Sequence, residues 1–155
     1  MKPRPPFLDL LSLPSMTICT ANPQGVPHAA SVYFVADDHL NLYFLSAPSS
    51  QHVEDFSINP LAALTIEPLA EKWQEIRGLQ LRGRVSEVPN GFQSVAGWAR
   101  YVSKFPYVKN LEIEVLKNRF YAFKPDWIRL VDNRVRFGYK QEWTGDELLR
   151  LCEGR

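Results

Sequence analysis

The sequence predicts a mainly β fold: about six antiparallel strands closed into a small barrel, with helices over its ends and seams. Three observations predict it. Strand-like runs outnumber helical ones along the 155 residues. The joins between them are short and marked by Pro, Gly and Asp, which implies antiparallel neighbours. The run "EIRGLQLRGRVSEV" alternates cleanly, with Leu79, Leu81, Gly83 and Val85 on one side and Gln80, Arg82 and Arg84 on the other. That is the period of a strand with one buried face. Closure into a barrel would remove the exposed edges of such a sheet.

The elements follow in order. "PPFLDLLSLP" places Phe7, Leu8 and Leu11 on one helical face, with Pro5 and Pro6 at its start and Pro14 at its end. "SMTICTA" reads as a strand and "NPQGVP" as a turn. "HAASVYFVA" and "LNLYFLS" form a hairpin across Asp37, Asp38 and His39. A short helix is expected near residues 50–58, then a strand in "LAALTIE" and the long alternating strand. "GFQSVAGWARYVSKF" predicts a helix whose apolar face carries Val95, Trp98, Ala99 and Val102. "RFYAFKP", "WIRLVDN" and "RVRFGY" return to strands, and "GDELLRLCE" closes with a helical turn. No repeat or linker divides the chain, so one domain over residues 1–155 is expected.

Composition narrows the function. With 18 Lys and Arg against 17 Asp and Glu, the net charge of +1 is no footprint for nucleic acid. No apolar run approaches the roughly 20 residues that span a bilayer. Prolines and Asp9 break the N-terminal apolar run, so no signal peptide is expected there. Cys19 and Cys152, far apart and outside any CxxC, are expected to be reduced in a cytoplasmic protein. The three histidines are scattered without the spacing of a metal site, and His28 and His39 read as turn or surface residues. Ser50, His52 and Asp55 share about one helical turn, too local for a nucleophilic triad.

The start of the short helix is the candidate site. A helix begins with unpaired amides and a partial positive charge. Ser49 or Ser50 is most simply a cap there, and Glu54 and Asp55 suit the dipole. His52 asks for more, because a helix start disfavours an imidazolium unless an anion is bound. Amides, a serine hydroxyl and an imidazolium together would hold a phosphate.

The spacing Ser50-x-His52 followed by Asn59-Pro60, set between two strands, resembles the phosphate-binding segment of the pyridoxamine 5′-phosphate oxidase-like flavoproteins, the FMN-binding split barrels. In that family a lysine usually stands where His52 does. The order of "PHAASVYF", "LNLYFLS" and "LRGRV" is similar as well. "EIRGLQLRGRV", "ARYVSKFPYV" and "WIRLVDNRVRFGYKQEW" resemble a small bacterial subgroup of the family.

The resemblance implies a split β-barrel, FMN as cofactor and a homodimer with the flavin at the subunit interface. It implies an oxidoreductase acting on a small molecule, with no nucleic-acid or membrane partner. By position, Ala30, Ser31, Val32 and Tyr33 would line the flavin, Leu45 and Ser46 would meet its ring or ribityl chain, and Ser50, Gln51 and His52 would hold its phosphate. Gln80 and Lys140 lie near places that contact the ring or supply a late basic residue. The Arg-x-His substrate motif of the true oxidases has no counterpart in "RVRFGYK", so pyridoxamine phosphate is not the expected substrate. The alternative is a dimeric barrel that binds flavin or haem without turnover, as a store, sensor or scaffold.

Overall fold

The computed structural model describes residues 4–89 and 96–152. Its strands are β1 (Ser15–Ala21), β2 (Pro27–Ala36), β3 (Leu42–Ser46), β4 (Leu61–Ile66), β5 (Arg77–Glu87), β6 (Arg119–Asp132) and β7 (Lys140–Thr144). Its helices are α1 (Gln51–Ile58), α2 (Ala96–Lys104), α3 (Glu112–Lys117) and α4 (Gly145–Cys152). The sheet runs β3-β2-β1-β4-β5-β6-β7, and β3 also pairs with β6. All pairings are antiparallel. The β3–β6 contact closes six strands into the expected barrel.

The closing strand serves two partners on one edge. Residues 119–123 of β6 pair with β3, and residues 127–131 pair with β7, while β5 runs along the other edge. "RFYAFKP" and "WIRLVDN", which read locally as separate strands, are one. The register shifts at Arg82/Gly83, where Asp126 is left out of the pairing beside Pro125. A bulge accommodates a proline that has no N–H to give the ladder. Gly83 permits it: a Cβ there would collide with the Lys124 carbonyl.

Other differences are local. The opening helix is a set of turns with a short 3-10 stretch at Leu10–Ser12, its inner face Phe7, Leu10 and Leu11. The bracketing prolines leave too few residues to nucleate a longer helix. "RVRFGY" is a turn rather than a strand. Asp132 accepts the Arg134 amide, Asn133 accepts the Gly138 amide, and Gly138 takes φ +69°. On α2 the inward residues are Gly97 and Tyr101, while Ala99 faces outward. Gly97 lies against the Tyr43 ring, where an added Cβ would sit 2.8 Å away. Val95 and the proposed start of this helix lie outside the described residues, as does Glu153. A 3-10 turn at Pro106–Asn110 and helix α3 were not anticipated.

Two apolar clusters result. The larger fills the barrel with Ile18, Phe34, Leu42, Phe44, Leu64, Leu81 and Phe123 among others. The smaller joins Val35 and Phe120 to Tyr101, Phe105, Val108 and Val115 of the segment between β5 and β6. The N-terminal turns are pinned by Arg77, which donates to the Asp9 carboxylate, to the Pro6 carbonyl and to Asp132 at 3.1 Å. Phe7 also packs edge-on against Trp143 of β7, ring centroids 5.0 Å apart.

Candidate functional site

The site is built where β3 gives way to α1. Residues 47–49 turn the chain, and Ser50 takes the extended conformation of an N-cap, φ −73° and ψ 146°. Its hydroxyl does not cap the helix; it donates to the Ala47 carbonyl at 2.7 Å. The Ser50 carbonyl accepts the Val53 and Glu54 amides. Helix geometry leaves the Gln51 and His52 amides for an outside acceptor, and no described residue takes them.

The His52 ring folds back over this turn. Its Nε2 lies 2.7 Å from Ser46 Oγ and 3.4 Å from Ser50 Oγ. Burial pushes the imidazole below its usual pKa, and Asp55 only partly restores it. The ring is therefore neutral at pH 7 in the absence of an anion.

One turn further, Asp55 is buried and points the other way. It accepts from Thr20 Oγ1 at 2.7 Å and Gln51 Nε2 at 3.0 Å, and lies 2.7 Å from His28 Nδ1. Burial works against its charge, but the bonds from Thr20, Gln51 and His28 prevail and hold the carboxyl below the usual range. Asp55 thus ties α1 to β1 and β2 rather than dressing an exposed helix dipole, and His28 is its partner rather than a surface histidine. The Gln51 side chain is committed to the same knot, so Gln51 offers an anion only its amide.

A cavity of about 420 Å³ opens from this corner. Six of the residues singled out in the sequence line it: Ser31, Val32 and Tyr33 of β2, Leu45 and Ser46 of β3, and His52 of α1. Ser50 and Gln51 stand beside it at the helix start. Ala30, half-buried, packs against the barrel core instead. Gln80 sits on the outer face of β5, where its Oε1 accepts from Arg129 at 3.3 Å, and beside a different cavity of about 530 Å³. Lys140 is exposed at the start of β7. Neither Gln80 nor Lys140 lines the His52 cavity.

The facing wall was missed in the sequence. Tyr101, Tyr107, Glu114 and Asn118 supply it from the segment between β5 and β6. Burial raises the pKa of both phenols, so they stay neutral and keep their protons. The inward face of α2 was the one available signal for Tyr101. Arg119, the first residue of β6, pairs with Ser46 in the β3–β6 ladder. Among the described residues, no group of three or more His, Cys, Asp or Glu side chains is placed to hold a metal ion. No helix of the described residues is long and apolar enough to cross a membrane.

Comparison with known proteins follows the same line. A family model described as pyridoxamine 5′-phosphate oxidase matches residues 7–132. A UPF0306 protein of Photorhabdus laumondii is 30% identical over 128 residues, covering 83% of this chain and 85% of that protein. Among solved structures, a heme binding protein from Mycobacterium smegmatis superposes with a TM-score of 0.74 at 17% identity, over 96% of this chain and 62% of that one. A Clostridium acetobutylicum protein related to general stress protein 26, of the pyridoxinephosphate oxidase family, gives a TM-score of 0.65 at 16% identity. That match covers 91% of this chain and 93% of the other.

Proposed function

The chain belongs to the pyridoxamine 5′-phosphate oxidase family, and from that premise we propose that it is an FMN-binding flavoprotein, an oxidoreductase acting on a small molecule. The observation that carries this reading is the convergence of Ser46, Ser50 and His52 on the open first turn of α1, at the corner of the cavity. Amides and hydroxyls at a helix start suit a phosphate ester. Val32 and Leu45 offer apolar contact to a ring system, beside the polar edge of Ser31. Bound there, FMN would supply the redox chemistry. The chain's own residues hold, orient and shield it. His52 gains a proton as a phosphate arrives, because a neighbouring dianion favours the charged imidazole. On the facing wall the neutral Tyr101 and Tyr107 phenols are able to donate hydrogen bonds to a substrate.

A homodimer belongs to the same reading. Thr17 and Cys19 of β1, Ala29 and Ser31 of β2, and Ala63 and Thr65 of β4 are register neighbours that face away from the barrel core. This face is small and uncharged, which suits contact with its own copy. Gln80 pairs with Thr65 in the β4–β5 ladder and so continues this face, whereas Lys140 lies beyond it on β7. Cys19, a free thiol, fits a reducing cytoplasm.

A second reading, haem binding without turnover, draws on the neutral state of His52, the form in which an imidazole ligates iron. The Mycobacterium smegmatis protein of the same fold is a haem binder by its description. Titration with FMN, FAD and haem, followed by flavin fluorescence and by absorbance, separates the two. Saturable FMN binding is expected, and bleaching by NADH or NADPH with recovery in air would establish turnover. Haem binding by a protein that ignores both flavins would overturn the flavin reading.

A further inference from the structure

A phosphate ester carries about two negative charges near neutral pH, yet among the described residues the cavity lining contains no lysine or arginine and its histidine is neutral without an anion. We infer that Arg119 supplies the missing permanent cation and reads the phosphate; this rests on the FMN reading of the site.

The placement follows from the ladder. Arg119 is the residue directly opposite Ser46 in the antiparallel β3–β6 pair. Opposed residues of such a pair project from the same face, with Cβ atoms about 5 Å apart. Ser46 Oγ touches the His52 ring at 2.7 Å, so the first residue of β6 flanks the same corner. Two residues along, on the same face, the Tyr121 ring packs against Phe56 of α1 at 5.0 Å between centroids, and Phe56 neighbours His52 one turn back. The line Arg119, Tyr121, Phe56, His52 is continuous along that end of the barrel. Asn118, adjacent in sequence to Arg119, already lines the cavity.

Arg119 is held by a contact it can leave. Its Nε lies 3.5 Å from Glu87 Oε1, and both side chains are about half exposed, at 49% and 50%. An exposed pair of this length contributes little. A guanidinium gains more from a phosphate, which it can bind through two parallel hydrogen bonds. Glu87 is thus a competitor that parks the arginine, and the phosphate draws it over.

The test compares FMN with riboflavin, which has the same ring and no phosphate, on the full-length protein. Arg119→Gln and Arg119→Ala should weaken FMN binding by about tenfold or more, as loss of a charge-assisted hydrogen bond implies, and leave riboflavin within about twofold. Glu87→Gln should tighten FMN by about threefold, with riboflavin unchanged. That gain is one a merely structural role for Arg119 would not produce, and it does not depend on how well the arginine variants fold. Equal weakening of both ligands, or unchanged FMN affinity in the arginine variants, overturns the role of Arg119 while the flavin reading stands. A wild-type protein that binds riboflavin and FMN equally overturns it too, by showing that the phosphate is not read. A wild-type protein that binds neither overturns the flavin reading itself.

Discussion

His52 stands where a lysine would make phosphate binding indifferent to pH near neutrality. Burial holds the free imidazole below its usual pKa, and a bound dianion raises it. On the proposed reading, binding would take up a proton, and FMN affinity should rise as pH falls from about 8 to about 6.5, above the second ionisation of the phosphate at about 6. Isothermal titration in buffers of different ionisation enthalpy would measure that proton. His52→Ala should cost about 1.5–3 kcal/mol of FMN binding and flatten the pH profile; a variant with the slope intact would remove the imidazole from the phosphate site. Ser50 and His52 were legible because the pattern that reveals them is contiguous and ends in Asn59-Pro60. The knot behind them was not. Asp55 finds Thr20 35 positions away and His28 27 positions away, and no local pattern announces a partnership made by folding.

At the level of elements, two glycines carry different burdens. Gly83 sits where β6 bulges, and an added methyl would meet backbone that cannot turn aside. Gly97 lets α2 approach the Tyr43 ring, which stacks on Phe120 with centroids 5.5 Å apart. Overpacking of this kind costs typically about 1–3 kcal/mol, occasionally more. Gly83→Ala should lie at or beyond the upper end and Gly97→Ala nearer the lower, as read by urea denaturation. The alanine at 97 should also loosen the wall that carries Tyr101 and so weaken ligand binding, whereas an equal cost for the two variants would mean that the ring gives no more readily than the carbonyl. The alternation of β5 was plain in the sequence because both of its faces are decided by one repeating choice. The unity of β6 was hidden by Pro125, which reads as a break unless the opposing glycine is known to face it. Helix α3 was hidden as well: its walling role depends on Val108 and Val115 meeting Phe120, contacts set by the barrel and not by local periodicity.

For the molecule as a whole, the small-residue face of β1, β2 and β4 is the surface on which the proposed dimer depends. Ala63 is exposed there, paired with Cys19 on one side and Arg82 on the other. Ala63→Arg should shift the protein to a monomer in analytical ultracentrifugation without unfolding it, and FMN affinity should fall with the dimer. A monomeric variant with undiminished affinity would place the whole flavin site within one chain. Phe7 and Asp9, near the beginning, are fastened to Trp143 and Arg77, so the first turns and the last strand share one buckle. Loosening the turns that carry Phe7 should therefore loosen the Trp143 strand as well. A protease nick in those turns would register in melting behaviour as damage to β7 too.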